Sequence, residues 1–399
     1  MSAVSGVRMS GPMVEFRAGF EALLAAQGYT DLSAAQQLRL LARLSDWLAE
    51  HGLEAAACDA AAVEAFLVAR RQAGYTHWLW LAGLMPMLEY LRAAGAIPEP
   101  LETVDSTPAG RLLDSYRRYL VQERGLGASA TGSYLRVAQR FVDAHSHGER
   151  LDLDALVASD VAAFVIAECA RSVPSAVITP LRCLLRFLFL EGLILTELAL
   201  AVPAAAGWAG ASLPKHMTPA EVAALLASCD RRRAIGRRDF ALITVMVRLG
   251  LRAGEAAALS LDDIDWRGGD VTIRGKGRRD ERLPLPGDVG EAIVAYLRRG
   301  RPPCGARQVF LRARAPWRGL KQPAVTEIVY RACERAGLPP VGAHRLRHTA
   351  ATQMLQRGGS LAEIAQVLRH HDPLTTTTYA KVDRAALATL AQPWPGTTR

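Results

Sequence analysis

Four short stretches in the C-terminal half of this 399-residue chain carry side chains that can do chemistry together: GLRAGE around Arg252, Gly275-Lys276-Gly277, HRLRH with His344 and Arg347, and HHDPLTTTTY from His370 to Tyr379. His344, Arg347 and His348 are spaced i, i+3 and i+4, so one helical face presents two imidazoles and a guanidinium. His370 and Tyr379 lie nine residues apart across a turn marked by Pro373, which lets a short helix fold back on the one before it. Two arginines, a lysine, imidazoles and a phenol make no carboxylate-centred metal set. They make a phosphate site. Arginine forks bind nonbridging phosphate oxygens bidentately and stabilise the charge of a pentacoordinate transition state. A tyrosine oxygen can attack in line to form a covalent intermediate, and Lys276 can protonate a departing alkoxide. Plainer readings compete: a surface salt bridge from Arg252 to Glu255, a generic backbone contact for Lys276 beside Arg274, Arg278 and Arg279, and a packing role for the Tyr379 ring.

The elements that must position these groups are mostly helices. Thr218-Pro219 with Glu221 spells a capping box with proline at the first helical position, so a new domain begins near Lys215. Helices are expected over 219–228, 237–249 and from Ala253 onward, then over 288–299, 324–336, 343–357, 361–369 and 375–391. Between them, Ile264–Pro286 alternates apolar and polar residues around two glycine turns, the pattern of a three-stranded antiparallel sheet. Upstream, Ala201–Pro214 is uncharged and rich in Ala, Gly and Pro, as a linker is.

The first 200 residues read as two similar helical units. Gly28, Val63, Phe66 and Gly95 recur as Gly125, Val161, Phe164 and Gly192, at a spacing of 97 or 98 residues. The expected organisation is therefore a helical domain over 1–100, a second over 109–200, a linker over 201–214, a catalytic α+β domain over 215–393 and a tail over 394–399. In the first unit Arg17, Arg39, Arg43, Arg70 and Arg71 read as a solvated helix face, and Trp317 in the last domain as structural.

The net charge of +9 is weak evidence by itself, but Arg267–Lys321 holds 14 Lys/Arg against 5 Asp/Glu and so a surplus equal to that of the whole chain. Six scattered cysteines suggest reduced thiols and no zinc ribbon. No apolar stretch follows a basic start, and the most apolar segment, 181–206, is broken by Arg182, Arg186, Glu191, Glu197 and Pro203. Neither a secretory signal nor a membrane span is expected, and the location expected is cytoplasmic.

Beyond these derivations, GRRDFALITVMVRLGLRAGEAAAL, GKGRRDERLPLP, HRLRHTAATQMLQRG and LRHHDPLTTTTYAKV resemble, in order, the motifs of the tyrosine recombinase (phage integrase) family. YRRYLVQERGLGASATGSYLRVAQRF resembles its core-binding domain, so the resemblance covers roughly 110–393. It implies a mainly α fold: two helical, SAM-like DNA-binding domains and an α+β catalytic domain with a small antiparallel sheet. It implies site-specific DNA recombination through a 3′-phosphotyrosyl link, for a mobile element, with Arg252, Lys276, His344, Arg347, His370 and the nucleophile Tyr379 as catalytic residues. Arg136, Arg140, Arg274, Arg278, Arg279 and Arg282 would contact DNA. The implied partners are duplex DNA with specific sites, further copies of the chain as dimer and tetramer, and companion recombinases; the protein would be nucleoid-associated when bound, with no metal or other cofactor. A DNA-binding accessory subunit and a type IB topoisomerase-like enzyme are the alternatives. Two positions depart from the family pattern, Arg369 for the usual glycine and Gly254 for the usual serine.

Overall fold

The structure is a computed structural model that describes residues 4, 6–99, 107–147, 150–153, 155–203, 216–275 and 280–369. Among these residues the chain is mainly helical, with N-terminal helical bundles and a C-terminal α+β part. No described helix is long and apolar enough to cross a membrane. All six cysteines are free and four of them are buried.

The first bundle comprises α1 (Arg17–Ala26), α2 (Asp31–Glu50), α3 (Ala60–Gln72) and α4 (Leu81–Ala93). Their apolar stripes close on Phe20, Leu24, Leu38, Leu41, Phe66 and Leu88. Thr30 caps α2 by accepting the Ser33 amide, which starts that helix at Asp31. Arg70 is not on a solvated face. It is 3% exposed, and its guanidinium donates to the carbonyls of His77 and Trp78, which the turn after α3 leaves without helical partners.

The second bundle comprises α5 (Pro108–Arg118), continued by a π-helical turn over Tyr119–Glu123, then α6 (Ala128–Ala144), α7 (Ala158–Cys169) and α8 (Pro174–Leu190). A two-stranded antiparallel ribbon, β1 (Ser146–His147) and β2 (Arg150–Leu151), follows α6. Tyr116, Leu120, Phe141, Val161, Leu184 and Leu188 form its core. The two bundles correspond at several points: α2 and α6 begin 97 residues apart, and Gly28, Gly95, Gly125 and Gly192 all have positive φ. Val63 and Phe66 are buried, as are Val161 and Phe164. One matched pair differs in charge. Arg140 is paired at 2.8 Å with the buried Glu168, whereas the matching positions hold Arg43 and Arg70, which flank the Tyr75 ring at 4.5 and 4.3 Å.

The C-terminal part builds its core around α10 (Ala234–Leu249), buried on most of its circumference. Around it lie α9 (Pro219–Ala227), α11 (Ala253–Ala258), a sheet, α12 (Gly287–Arg299), α13 (Gln322–Arg335), α14 (Ala343–Gln356) and α15 (Leu361–Leu368). The capping box forms as its spacing implies: the Thr218 amide donates to Glu221 at 2.7 Å and the Glu221 amide to Thr218 Oγ1 at 3.2 Å. The sheet order is β3 (Ile264–Asp265), β4 (Asp270–Arg274), β5 (Asp280–Pro284), antiparallel throughout, with Val271 opposite both Ile264 and Leu283. Val271, Ile273 and Leu283 face the core, and the intervening residues face outward, as strand alternation requires.

The described residues of Met1–Ile97 and Gly210–Arg399 form one compact unit and those of Pro98–Ala209 another. Within the first, Trp317 is the joint between bundle and catalytic part. Its amide donates to the Gln27 carbonyl at 3.0 Å, and Arg318 pairs with Glu89 at 2.7 Å. Gly28 has φ +80°, and a Cβ there would lie 2.1 Å from the Trp317 ring. Gly28→Ala is therefore expected to destabilise by about 2 kcal/mol or more, combining left-handed strain with a clash against a large ring. Calorimetry checks this; an unchanged melting profile would count against the joint.

Candidate active site

The site grows from the ends of three helices. α10 ends at Leu249 and Gly250 turns the chain with φ +61°, a conformation natural to glycine. A side chain at Gly250 would collide with Leu368, so glycine also lets α15 approach. Arg252 then N-caps α11: its amide donates to Glu255 Oε2 at 2.8 Å and its Nη1 to Glu255 Oε1 at 2.6 Å. The expected surface salt bridge is thus real, but it is not at the surface at both ends. The Glu255 side chain is 7% exposed and that of Arg252 42%.

α14 brings in Arg347, whose side chain is 1% exposed. Nη1 donates to the Gly250 carbonyl at 2.8 Å and Nη2 to the Leu368 carbonyl. These carbonyls end α10 and α15, so one guanidinium satisfies two helix C-termini and sits at the negative end of both dipoles. Arg347 also lies 4.0 Å from Glu255. Arg369, which follows α15, takes φ +57° and ψ +49° and donates to Glu255 Oε2 at 2.8 Å. A side chain in this left-handed region costs about 1 kcal/mol. Burial alone would raise the Glu255 pKa; the Arg369 charge, then the Arg252 amide and guanidinium, outweigh it and hold the carboxyl below its ordinary range.

One turn before Arg347, His344 places its ring 4.4 Å from that of His348, edge to face. Although His344 reaches solvent, desolvation by the surrounding protein, then the Arg347 and Arg252 charges, lower its pKa. His348 is pushed down to about 4 by desolvation, then by His344, Arg347 and Arg345. Both imidazoles are therefore neutral at neutral pH, and His344 can accept a proton. These depressed values also set a sign. Between the ordinary pKa of about 6.5 and the folded value near 4, the unfolded chain takes up protons that the folded chain refuses. Stability is thus expected to fall as pH drops from 6.5 to 4, and His348→Gln should flatten that slope in denaturant titrations at several pH values.

The structure thus brings together Arg252, His344 and Arg347. Lys276, His370, Tyr379, Arg278 and Arg279 lie outside the described residues. Of the arginines expected to meet DNA, Arg274 is paired with Asp263 at 2.8 Å, Arg282 with Asp265 and Asp270 at 2.8 and 2.9 Å, and Arg140 with Glu168. Arg136 is exposed and bonds Ser133 at 2.9 Å, on a groove of about 660 Å³ shared with Arg117 and Gln139. The basic surplus of 267–321 is therefore partly cancelled in space by carboxylates outside it: Asp262, Asp263 and Asp265 just before it, on Arg307, Arg274 and Arg282, and Glu89 of α4 on Arg318.

A helical α+β domain that converges arginines on one buried carboxylate, with the His344 imidazole within reach of the Arg347 and Arg252 charges, has the makings of a phosphodiester-handling enzyme. Residues 215–385 match the phage integrase family. The chain is 39% identical over 397 residues to an integrase/recombinase of Sinorhizobium fredii, y4rA, covering 97% of this chain and 95% of that one. It is 31% identical to the tyrosine recombinase XerD of Mycobacterium tuberculosis, covering 69% and 94%. The fold is similar, at 20% identity and a TM-score of 0.57 over 83% of this chain and 94% of the other, to the XerH site-specific recombinase bound to palindromic difH substrate in a post-cleavage complex. The chain belongs to the phage integrase family. It is a tyrosine-type site-specific recombinase, which breaks and rejoins DNA strands.

Proposed function

We propose that Tyr379 attacks a scissile phosphodiester and displaces the 5′-oxygen, which takes a proton from Lys276, leaving a 3′-phosphotyrosyl link and a free 5′-hydroxyl. The observation that carries the reading is the division of labour between the arginines: Arg252 is half open to an incoming phosphate, while Arg347 is sealed behind it. Arg252 contacts the nonbridging oxygens and Arg347 supplies charge from a fixed, dry position. His344, neutral and beside them, assists proton transfer, and His370 hydrogen-bonds the phosphate. The tyrosyl ester conserves the phosphodiester energy, so a 5′-hydroxyl from a partner duplex can reverse the step without ATP.

The partner is duplex DNA with a specific site. The XerH substrate is palindromic, and a palindrome matches a two-fold pair of protomers. We extend this to a dimer on each site and a tetramer on two, acting in the cytoplasm on the DNA of a mobile element, as the integrase name of the S. fredii relative suggests. The N-terminal bundle is a second copy of the core-binding unit, with a SAM-like role on DNA, supported by the 97- or 98-residue spacing of its left-handed glycines and buried Val/Phe pair from those of the second bundle.

The test uses a duplex selected by the full-length chain from a random-sequence pool, then nicked near its centre so that cleavage sheds a short strand. A covalent adduct is expected, with the DNA mapped by mass spectrometry to the Tyr379 peptide. No adduct, or an adduct elsewhere, defeats the reading.

A further inference from the structure

We propose that Arg369 is a positioning residue of strand cleavage: its buried guanidinium holds the end of α15 against Glu255 and thereby fixes the loop that presents Arg252. The inference rests on the reading above and deepens it. The backbone at Arg369 asks for glycine, the residue that the family pattern has there, since φ is +57°. An arginine in such a place indicates that the side chain returns more than the backbone loses. That side chain is 4% exposed, too deep to be a DNA contact itself.

Its bonds show what it does instead. Nη2 reaches Glu255 at 2.8 Å and Nη1 reaches the Val367 carbonyl at 2.8 Å, so the guanidinium staples the last turn of α15 to the carboxylate. The Arg369 carbonyl in turn accepts from Arg252 Nη2 at 3.4 Å, and the preceding Leu368 carbonyl accepts from Arg347. Residues 368 and 369 are thus tied to both site arginines, directly before His370 in sequence. Three cations face Glu255: Arg252 from the start of α11, Arg347 from α14 and Arg369 from the end of α15. With the carboxylate charge divided among them, Arg252 is not neutralised by Glu255 alone and keeps its pull on a phosphate. Without Arg369, Glu255 draws Arg252 inward and α15 loses its tether.

The experiment is single-turnover adduct formation by the full-length chain on the selected nicked duplex, at saturating protein. Arg369→Gly relieves the backbone, so a loss cannot come from strain. The cleavage rate is expected to fall about 10–100-fold, the scale of a reacting group misplaced by about an ångström, while the Kd for the duplex changes less than about twofold. The acid limb of the pH–rate profile should move to higher pH, because Glu255 protonates more easily once the Arg369 charge is gone. Arg369→Lys should restore that limb by restoring a charge, and restore the rate only in part, since an ammonium cannot make both bonds. A purely structural role would leave the acid limb in place. Wild-type rate with an unshifted limb in Arg369→Gly overturns the proposal. Absence of adduct in the wild type overturns the underlying reading instead. If Arg369→Gly melts below the assay temperature, Arg369→Gln against Arg369→Lys carries the same comparison.

Discussion

Arg347→Ala is expected to lower the unfolding free energy by about 3–5 kcal/mol and to slow strand cleavage by a factor of about a thousand or more. The stability loss follows from what the guanidinium does in the absence of DNA. It is the largest fully buried side chain among the described residues, and it donates to the terminal carbonyls of α10 and α15. Alanine leaves both acceptors buried without that donor, at about 1–3 kcal/mol each, and opens a cavity where three helices meet. The catalytic loss follows from the same burial, since a charge held in a dry, fixed position needs no reorganisation when the phosphate gains charge. Arg347→Lys separates the two. Lysine keeps the charge but cannot fork between two carbonyls, so cleavage should recover more than stability does. Denaturant titration and single-turnover trapping read the two quantities. A wild-type denaturation midpoint in Arg347→Ala would refute the double capping, and undiminished cleavage would refute the catalytic role.

How much of this was legible in the sequence depends on the range of the interaction. The HRLRH face, the Thr218 capping box and the three-strand sheet depend on neighbours within a few residues, and the structure contains all three. The recurrence of left-handed glycines at Gly28 and Gly125, and at Gly95 and Gly192, is local too, because a positive φ selects glycine wherever it occurs. The burial of Glu255 was not legible. An arginine followed three residues later by a glutamate reads as a surface pair until α14 and the end of α15, about a hundred residues on, close over the carboxylate. The Trp317 joint and the buried Arg70 were hidden for the same reason, since no spacing says which surface a loop or a guanidinium will meet. The basic window misled in a different way. Its edges fell just after Asp262, Asp263 and Asp265, which fold back onto Arg307, Arg274 and Arg282.

Glu255→Ala should cost about 3–5 kcal/mol of stability, as much as losing Arg347, although it removes no arginine from the site. Arg347 and Arg369 are both almost fully buried, and without the carboxylate they face each other as like charges in a poorly solvated space. Arg252 can swing out to water, because its side chain is 42% exposed. Loss should therefore fall on folding first and on DNA binding least. Glu255→Gln keeps an acceptor for the Arg252 amide and should lie between alanine and wild type. The pH dependence gives a second signature. Because the folded Glu255 pKa lies below its ordinary value, the stability it contributes is present above about pH 4.3 and is lost as pH falls through the folded value. Glu255→Gln should lack that loss while keeping the histidine slope between pH 6.5 and 4. The decisive comparison is the double variant. If the cost of Glu255→Ala comes from stranded cations, adding Arg369→Gly removes one of them and should restore part of the stability, a coupling that a double-mutant cycle measures directly. If the double variant is instead as unstable as the two single losses added together, then Glu255 stabilises by packing, and the carboxylate is not what holds the three arginines in one place.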